Sequence, residues 1–461
     1  MFALILLTTF LGVFGGHSAA EWKSRTIYQV ITDRFARNNG DYSGCGDITK
    51  YCGGGWRGLI NNLDYIQGLG FDAIWVSPVV KNYGDGYHGY WAQDFFSLNE
   101  HFGSEQDFKD LVTALHSRGM WIMVDVVANH VGPVGTDLNN VGIINPFNSR
   151  DHYHNYCSIN WNDDYSVEQC WLADLPDLNQ DNGWVHDQLV RWINWLVTTY
   201  NIDGLRIDTC PEVKKNFWGD FARSAGVFTL CEVFDGNMGK VAGYQGYVDS
   251  VLNYPLYYTI RNTFLSGQSL YQVRNLFNQS KSTYKDINVL GNFVDNHDNA
   301  RFLSQNRNLK RFQNALAMSL TFPGIPIVYY GGEQGYAGGN DPYNREILWT
   351  SLNTSSEMYN FVKTVVQYRK EMQIWNYDFV ERYAADNFYA FSRGKALFAF
   401  SNSDNTQSYT VSYHPYNVGE VVCNVFYATD CVTVTSAGVP VVLVNGEVKL
   451  YKPKNYIIEL E

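Results

Sequence analysis

The chain has 461 residues and 45% hydrophobic content, enough for two or three domains and a large core. Its net charge is −12 and no basic run or stripe occurs, which argues against nucleic acid and anionic membrane as partners. Aromatic residues reach 16% (33 Tyr, 27 Phe, 13 Trp), which favours a surface that stacks on sugar rings beyond what a core needs.

Phe2 to Phe14 is an apolar stretch too short to span a bilayer, and His17-Ser-Ala-Ala20 supplies small residues for cleavage. Residues 1–20 are therefore read as a secretory signal, although only the terminal amine is positive there, and the product is expected outside the cell. No later segment is long and apolar enough to be transmembrane, and Glu461 ends the chain without a hydrophobic tail that would indicate a lipid anchor. Eight cysteines in an exported chain predict disulfides. Cys45 with Cys52 and Cys157 with Cys170 are close enough to staple loops, and Cys423 can pair with Cys431. Cys210 and Cys231 read equally as a bridge or as two buried thiols. Sequons at Asn278 and Asn353 permit glycosylation.

From Ile27 to about residue 375, short apolar runs alternate with amphipathic stretches. IYQVIT (27–32) and DAIWVS (72–77) come first. Ser104 then serves as an N-cap with Asp107 three residues on, and Phe108, Leu111, Val112 and Leu115 form a helical stripe that Gly119 ends. WIMVDVV (121–127) shows no polar alternation before Asp125, which suits a parallel strand buried on both faces. GLRID (204–208), VFTLCEV (227–233), DSVLN (249–253), INVLGNFV (287–294) and IPIVYY (325–330) complete eight runs. That count and rhythm predict an α/β fold, a (β/α)₈ TIM barrel. Residues 131–180 after the third strand are rich in Gly, Asn, Asp, Tyr and Trp and too long for a simple loop, so a small inserted domain is expected there. From about residue 377 alternating strands such as SYTVSY (408–413) and VVLV (441–444) appear, the latter meeting a turn at Asn445-Gly446 before EVKLY. A C-terminal antiparallel β-sandwich over 377–461 follows, leaving 21–130 and 181–376 to the barrel.

Three strings end strands with a carboxylate: DGLRIDT (203–209) with Asp208, CEVFD (231–235) with Glu232 and FVDNHDN (293–299) with Asp298. DVVANH (125–130) precedes them. A single acid after a strand is commonly a loop residue or cap; four strings in this order fall on strands three, four, five and seven, at the barrel end where active sites gather. Glycosidic bond cleavage needs a proton donor on the leaving oxygen and a carboxylate near the anomeric carbon. Arg206 lies two residues before Asp208, so both point into the barrel mouth. A structural salt bridge is the plainer reading of that pair; in a site, the cation would hold Asp208 ionised as a nucleophile requires. Glu232 would need a raised pKa to act as the acid, and crowding by carboxylates is one way to raise it. His130 and His297, beside the acids, read as hydrogen-bond donors to sugar hydroxyls rather than core histidines.

These residues resemble those of the α-amylase family, glycoside hydrolase family 13, most closely its secreted fungal members of the Taka-amylase type. The resemblance runs from about Trp22 into the C-terminal β domain, densest in CGGGWRG (52–58), LDYIQGLGFDAIWVSP (63–78), YHGYW (87–91), DVVANH, GLRIDT and GGNDPYNRE (338–346). It implies a retaining mechanism with Asp208 as nucleophile, Glu232 as general acid/base and Asp298 gripping sugar hydroxyls and stabilising the transition state. It also implies that His88, Tyr90, Trp91, His130, Arg206, His297, Asp341 and Arg345 line the sugar site, with Tyr90 and Trp91 as an aromatic platform for which core packing is the alternative at Trp91. Family members hold a structural Ca²⁺; the matching ligands are Asn129, Glu168, Asp177 and the backbone carbonyl of Glu212, an oxygen-only set that suits the ion.

Where such fungal relatives read DTVKH after the fourth strand, this chain reads Asp208-Thr-Cys-Pro-Glu212. Pro211 and Glu212 thus replace a Lys and a His on the leaving-group side, which leaves the preferred chain length and the balance of hydrolysis against transfer open. The reading is a secreted, monomeric, calcium-binding α-amylase acting on internal α-1,4 bonds of starch, glycogen and maltooligosaccharides. Its rivals are an α-glucan transglycosylase or specialised α-glucanase, and a non-catalytic glucan-binding protein, which would be expected to have lost at least one of the three acids.

Overall fold

The computed structural model describes residues 16–456, so the apolar stretch Phe2 to Phe14 lies outside the described residues. Eight parallel strands appear where eight apolar runs were read: β1 (Ile27–Val30), β2 (Ala73–Val76), β3 (Trp121–Val126), β4 (Gly204–Ile207), β5 (Phe228–Cys231), β6 (Ser250–Val251), β7 (Gly291–Asn292) and β8 (Ile325–Tyr329). Their order is β6-β5-β4-β3-β2-β1-β8-β7, and a parallel bridge from Leu252 to Gly291 joins the two ends into a barrel. Every residue of these strands is buried, as a sheet covered on both faces requires. One face (Ile27, Ala73, Trp75, Met123, Phe228, Leu230, Ile325 and Ile327) packs together in one core cluster, and the alternate face (Tyr28, Ile74, Ile122, Val124, Leu205) belongs to a larger cluster shared with the helices.

Helix α1 (Glu105–Ser117) starts at Ser104 with a full capping box to Asp107 and buries Phe108, Leu111, Val112 and Leu115, as its stripe predicts. Each of those side chains stabilises the packing by about 2 kcal/mol. A short hairpin, Val80–Asn82 with Ala92–Leu98, follows β2 and carries His88, Tyr90 and Trp91 at its tip; the sequence did not reveal it. Residues 131–180 form irregular chain with short 3₁₀ turns and helix α2 (Asp164–Gln169), stapled by Cys157–Cys170. Helix α3 (Gly183–Tyr200) returns the chain to β4, and α4 (Tyr254–Ile260) follows β6.

Beyond the barrel lie β9 (Phe379–Ala384), β10 (Tyr389–Arg393), β11 (Ala396–Phe400), β12 (Gln407–Val411), β13 (Val421–Asn424), β14 (Cys431–Thr433), β15 (Val439–Leu443) and β16 (Lys449–Pro453). They make a six-stranded antiparallel sheet, β9-β10-β11-β16-β13-β14, and a two-stranded sheet, β12-β15. Ala390, Leu397 and Tyr451 of the first share a core with Val411, Val439 and Val441 of the second, so the unit is a sandwich. The Asn445-Gly446 turn joins β15 to β16, which lie in different sheets, so it is a crossover rather than a hairpin turn. Both residues have positive φ, and a Cβ on Gly446 would meet the Ser403 carbonyl oxygen at 2.1 Å. All four cysteine pairs are bridged, including Cys210–Cys231, and no helix among the described residues is long and apolar enough to cross a membrane.

Candidate active site

The alternation of strand side chains aims Asp125 of β3, Arg206 of β4, Asp208 just past β4 and Glu232 just past β5 into the barrel mouth. Arg206 is fully buried at the centre. Its Nη1 donates to both carboxylate oxygens of Asp125, at 2.9 and 3.0 Å, and to Asp208 Oδ1 at 2.7 Å. Its Nη2 lies 2.7 Å from Glu232 Oε2, a charge contact without hydrogen-bond alignment. One cation therefore serves three buried carboxylates.

Arg206, the cation read from the sequence as holding Asp208 ionised, is thus shared with Asp125 and Glu232. Burial outweighs the guanidinium, and with Asp125 and Asp298 nearby it pushes Asp208 up to about 7. Glu232 is pushed up to about 8, by burial first, against the pull of Arg206 and with the repulsion of Asp208 and Asp298 added. Both carboxyls are thus raised by the same causes, burial first and crowding by neighbouring carboxylates second, against the pull of one shared guanidinium.

Glu232 has further partners that the sequence did not disclose. The Tyr254 hydroxyl, fully buried on α4, donates to Oε1 at 3.2 Å and accepts from Asn296 Nδ2 at 3.1 Å. The Thr209 N–H donates to Oε2 at 3.3 Å. Thr209 makes that contact from a left-handed backbone (φ 48°), a costly conformation for a β-branched residue, with its buried Oγ1 unpartnered. Asp125 is a second omission: besides Arg206, it accepts from Trp75 Nε1 at 3.1 Å and from the Tyr90 hydroxyl at 2.7 Å.

The predicted sugar-site residues His88, Tyr90, Trp91, His130, His297, Asp298, Asp341 and Arg345 line one cleft of about 530 Å³ with Asp208, Glu212 and Glu232; Arg206 lies beneath it. Arg345 reaches Asp298 Oδ1 at 3.7 Å and Asp341 Oδ1 at 3.2 Å, and its Nε donates to the His297 carbonyl at 3.0 Å. The three histidines are held neutral by burial: His130 is lowered to about 4, His297 to about 3, and His88 well below its ordinary value. His297 has both ring nitrogens engaged within the protein. Because the Tyr90 hydroxyl donates to Asp125, it accepts from His297 Nε2 at 2.8 Å, and His297 Nδ1 in turn accepts from Gln29 Nε2 at 2.9 Å. In this arrangement His297 orients Tyr90, where the sequence reading had it donating to a sugar. His88 Nδ1 accepts the Tyr90 N–H at 3.1 Å, which leaves Nε2 as its protonated nitrogen.

The hydrogen bonds of His130 decide the chemistry of the predicted calcium site. Nε2 lies 3.1 Å from the Tyr90 carbonyl, which can only accept, so Nε2 carries the proton. A neutral ring then presents Nδ1 as an acceptor, and Asn129 must turn its amide nitrogen toward it at 3.2 Å. Asn129 Oδ1 consequently faces the Glu212 carbonyl oxygen at 3.1 Å and Asp177 Oδ1 at 2.9 Å. Three oxygens with no proton between them repel one another unless a cation sits among them, and an oxygen-only set fits a hard cation such as Ca²⁺. Asp177 is further fixed by His154 Nδ1 at 2.6 Å on its other oxygen. Glu168 is not brought to this cluster by any described hydrogen bond; it lines a crevice with Lys214 and Lys215. Glu212 also lines the active cleft, and one oxygen of its side-chain carboxylate is buried and unpartnered.

The family description "Alpha amylase, catalytic domain" matches residues 29–376. α-Amylase 2 of Schwanniomyces occidentalis is 39% identical over 96% of this chain and 92% of its own length. α-Amylase 1 of Lipomyces kononenkoae is 44% identical over 79% of this chain, which spans 61% of that longer protein. Among solved structures, an α-amylase from Malbranchea cinnamomea superposes with a TM-score of 0.92 at 40% identity, covering 95% of this chain and 98% of the other. A barrel with charged strand ends and a trailing sandwich, matched at this level, defines a glycoside hydrolase. The chain belongs to the α-amylase family.

Proposed function

We propose that the chain is a secreted, calcium-binding α-amylase that hydrolyses internal α-1,4-glucosidic bonds of starch, glycogen and maltooligosaccharides with retention of configuration. The observation that carries the reading is the single guanidinium of Arg206 within 2.7 Å of both Asp208 and Glu232. Two carboxylates on one guanidinium are held close, which favours the spacing of about 5 Å typical of retaining enzymes over the wider gap that inverting enzymes leave for water. Asp208 attacks the anomeric carbon while Glu232 gives its proton to the leaving oxygen; Glu232 then takes a proton from the water that releases the sugar from Asp208. Asp298, tied to Arg345, grips sugar hydroxyls and stabilises the transition state, and His88, Tyr90, Trp91, His130, His297 and Asp341 shape the pocket around the cleaved bond.

Asn129, Asp177 and the Glu212 carbonyl would hold Ca²⁺, with Glu168 the further ligand that the family resemblance implies; the ion's role there is structural, binding segments of the chain together. Four bridged cysteine pairs support passage through an oxidising, secretory compartment. The sheets support a division into a barrel (21–130 and 181–376), an insertion (131–180) and a C-terminal sandwich (377–461). The test is hydrolysis of soluble starch by the purified chain beside Glu232→Gln, which should lose at least about 10²-fold in rate. Equal inactivity of both proteins on every α-glucan tried would end the enzyme reading.

A further inference from the structure

Thr209 holds a backbone conformation that its own side chain does nothing to support. Its φ and ψ are both 48°, a left-handed turn that glycine takes freely and a β-branched residue does not. Its Oγ1 is buried without a partner, so no local hydrogen bond stabilises the turn. The hold comes from its neighbours. On one side, the Asp208 N–H donates to the Val126 carbonyl at 3.0 Å and the Asp208 carboxylate sits on Arg206. On the other, the Cys210 N–H donates to the Glu232 carbonyl at 3.1 Å, and the Cys210 carbonyl accepts from Trp218 Nε1 at 2.9 Å. The third fastening is covalent: Cys210 is bridged to Cys231, the last residue of β5, which immediately precedes Glu232. The bridge closes a short circuit, from Asp208 through Thr209 and Cys210 to Cys231 and Glu232, that takes in both carboxylates.

The turn aims the Thr209 N–H at Glu232 Oε2, 3.3 Å away, the same oxygen that faces Arg206 Nη2 at 2.7 Å. An oxygen that meets an N–H and a cation is the carbonyl oxygen of a protonated carboxyl, so the proton belongs on Oε1. The Tyr254 hydroxyl beside Oε1 is compatible with that proton, because a hydroxyl accepts as well as donates. We propose that the Cys210–Cys231 bridge is a positioning device for proton donation: by holding Thr209 left-handed, it keeps the acid proton of Glu232 on Oε1. This rests on the role given above to Glu232. In the step concerned, an Asp208 oxygen bonds to the anomeric carbon and the glycosidic C–O bond breaks. The Oε1 proton passes to the leaving oxygen, and Glu232 is left as carboxylate. Without the bridge Thr209 relaxes toward negative φ, its N–H leaves Oε2, and the proton divides between the two oxygens. Attack by Asp208 is untouched.

The experiment compares two donors. Maltoheptaose has a sugar leaving group that needs the proton, whereas α-maltotriosyl fluoride expels fluoride, which needs little help. The quantity read is kcat/KM, which reports the breaking of the first bond. It is measured for the unaltered chain, for Cys210→Ala with Cys231→Ala, and for Cys210→Val with Cys231→Ala, which refills part of the volume. Circular dichroism checks that each is folded. Loss of the bridge should lower the value on maltoheptaose about tenfold, a part of what a general acid contributes, and the value on the fluoride less than about twofold. Adding Thr209→Gly to the bridge-free chain should recover part of the loss, since glycine takes this φ without a Cβ penalty. Equal losses on both donors are what a merely structural cross-link gives, and they would overturn the proposal. So would unchanged values on both, no recovery with Thr209→Gly, or failure of both cysteine pairs to fold. A Glu232→Gln chain that loses as much on the fluoride as on maltoheptaose would instead refute the acid role of Glu232.

Discussion

One cation shared by Asp125, Asp208 and Glu232 sets the pH behaviour of the site. Asp208 works ionised, so rate is lost as pH falls through its value, pushed up to about 7. Glu232 works protonated, so rate is lost as pH rises through its value, pushed up to about 8. The expected profile of kcat/KM on a soluble maltooligosaccharide is therefore a bell with both limbs above the ordinary carboxyl range; limbs near that range would contradict the electrostatic account. Tyr254→Phe removes a hydrogen bond that favours the charged form of Glu232, and should move the alkaline limb upward by about half a unit to one unit. At this scale the sequence disclosed the groups that stand at strand ends inside recognisable strings, Asp208, Glu232 and Asp298. It did not disclose Tyr254, which opens a helix and meets Glu232 only through tertiary packing, or Thr209, whose contribution is a backbone N–H aimed by a left-handed φ. Nor did it disclose the competition between burial and Arg206, because burial is a property of the whole barrel.

Among the elements, the ends of β4 and β5 are fastened twice: by the Cys210–Cys231 bridge, and by the Cys210 N–H donating to the Glu232 carbonyl at 3.1 Å. Both cysteines are fully buried, and the bridge closes a 21-residue separation, for which chain entropy gives about 3 kcal/mol. Replacing both with Ala should lower the free energy of unfolding in a denaturant titration by about that amount. A loss well under 1 kcal/mol would mean that the surrounding packing already holds the two strand ends. The eight barrel strands were legible because a strand buried on both faces must be a continuous apolar run, and in this chain such runs recur at helical separations. The hairpin at Val80–Leu98 was not, since its strands are short, its register shifts twice, and its tip is Gly- and Tyr-rich. Asn445-Gly446 announced a turn correctly, but a turn signal does not say which sheet the next strand joins; β16 pairs with β11 and β13 instead of β15.

At the scale of the whole molecule, a cation at Asn129, Asp177 and Glu212 would clamp three segments distant in sequence: the end of β3, the chain leading into α3, and the turn that follows Asp208. The backbone already brings them together, with Leu178 N–H donating to the Asn129 carbonyl at 2.8 Å and Val131 N–H to Pro176 at 3.1 Å. What the protein alone leaves unresolved is the repulsion among the three facing oxygens, and a divalent ion removes it while neutralising Asp177, whose carboxyl burial pushes up to about 7. An ion bound only by the folded state stabilises it by mass action, about 2.7 kcal/mol when free calcium is a hundredfold above Kd. A chelator should therefore lower the unfolding temperature of the unaltered chain, and calcium added back should restore it. In Asp177→Asn the unfolding temperature should be low from the start and indifferent to both additions, since the carboxylate that binds the ion is gone. Because Glu212 supplies its carbonyl from the turn that begins at Asp208, the chelated protein should lose starch hydrolysis at temperatures where it is still folded by circular dichroism. Unfolding temperatures of the unaltered chain that match with chelator and with excess calcium would show that His130 and Asn129 hold this corner without an ion.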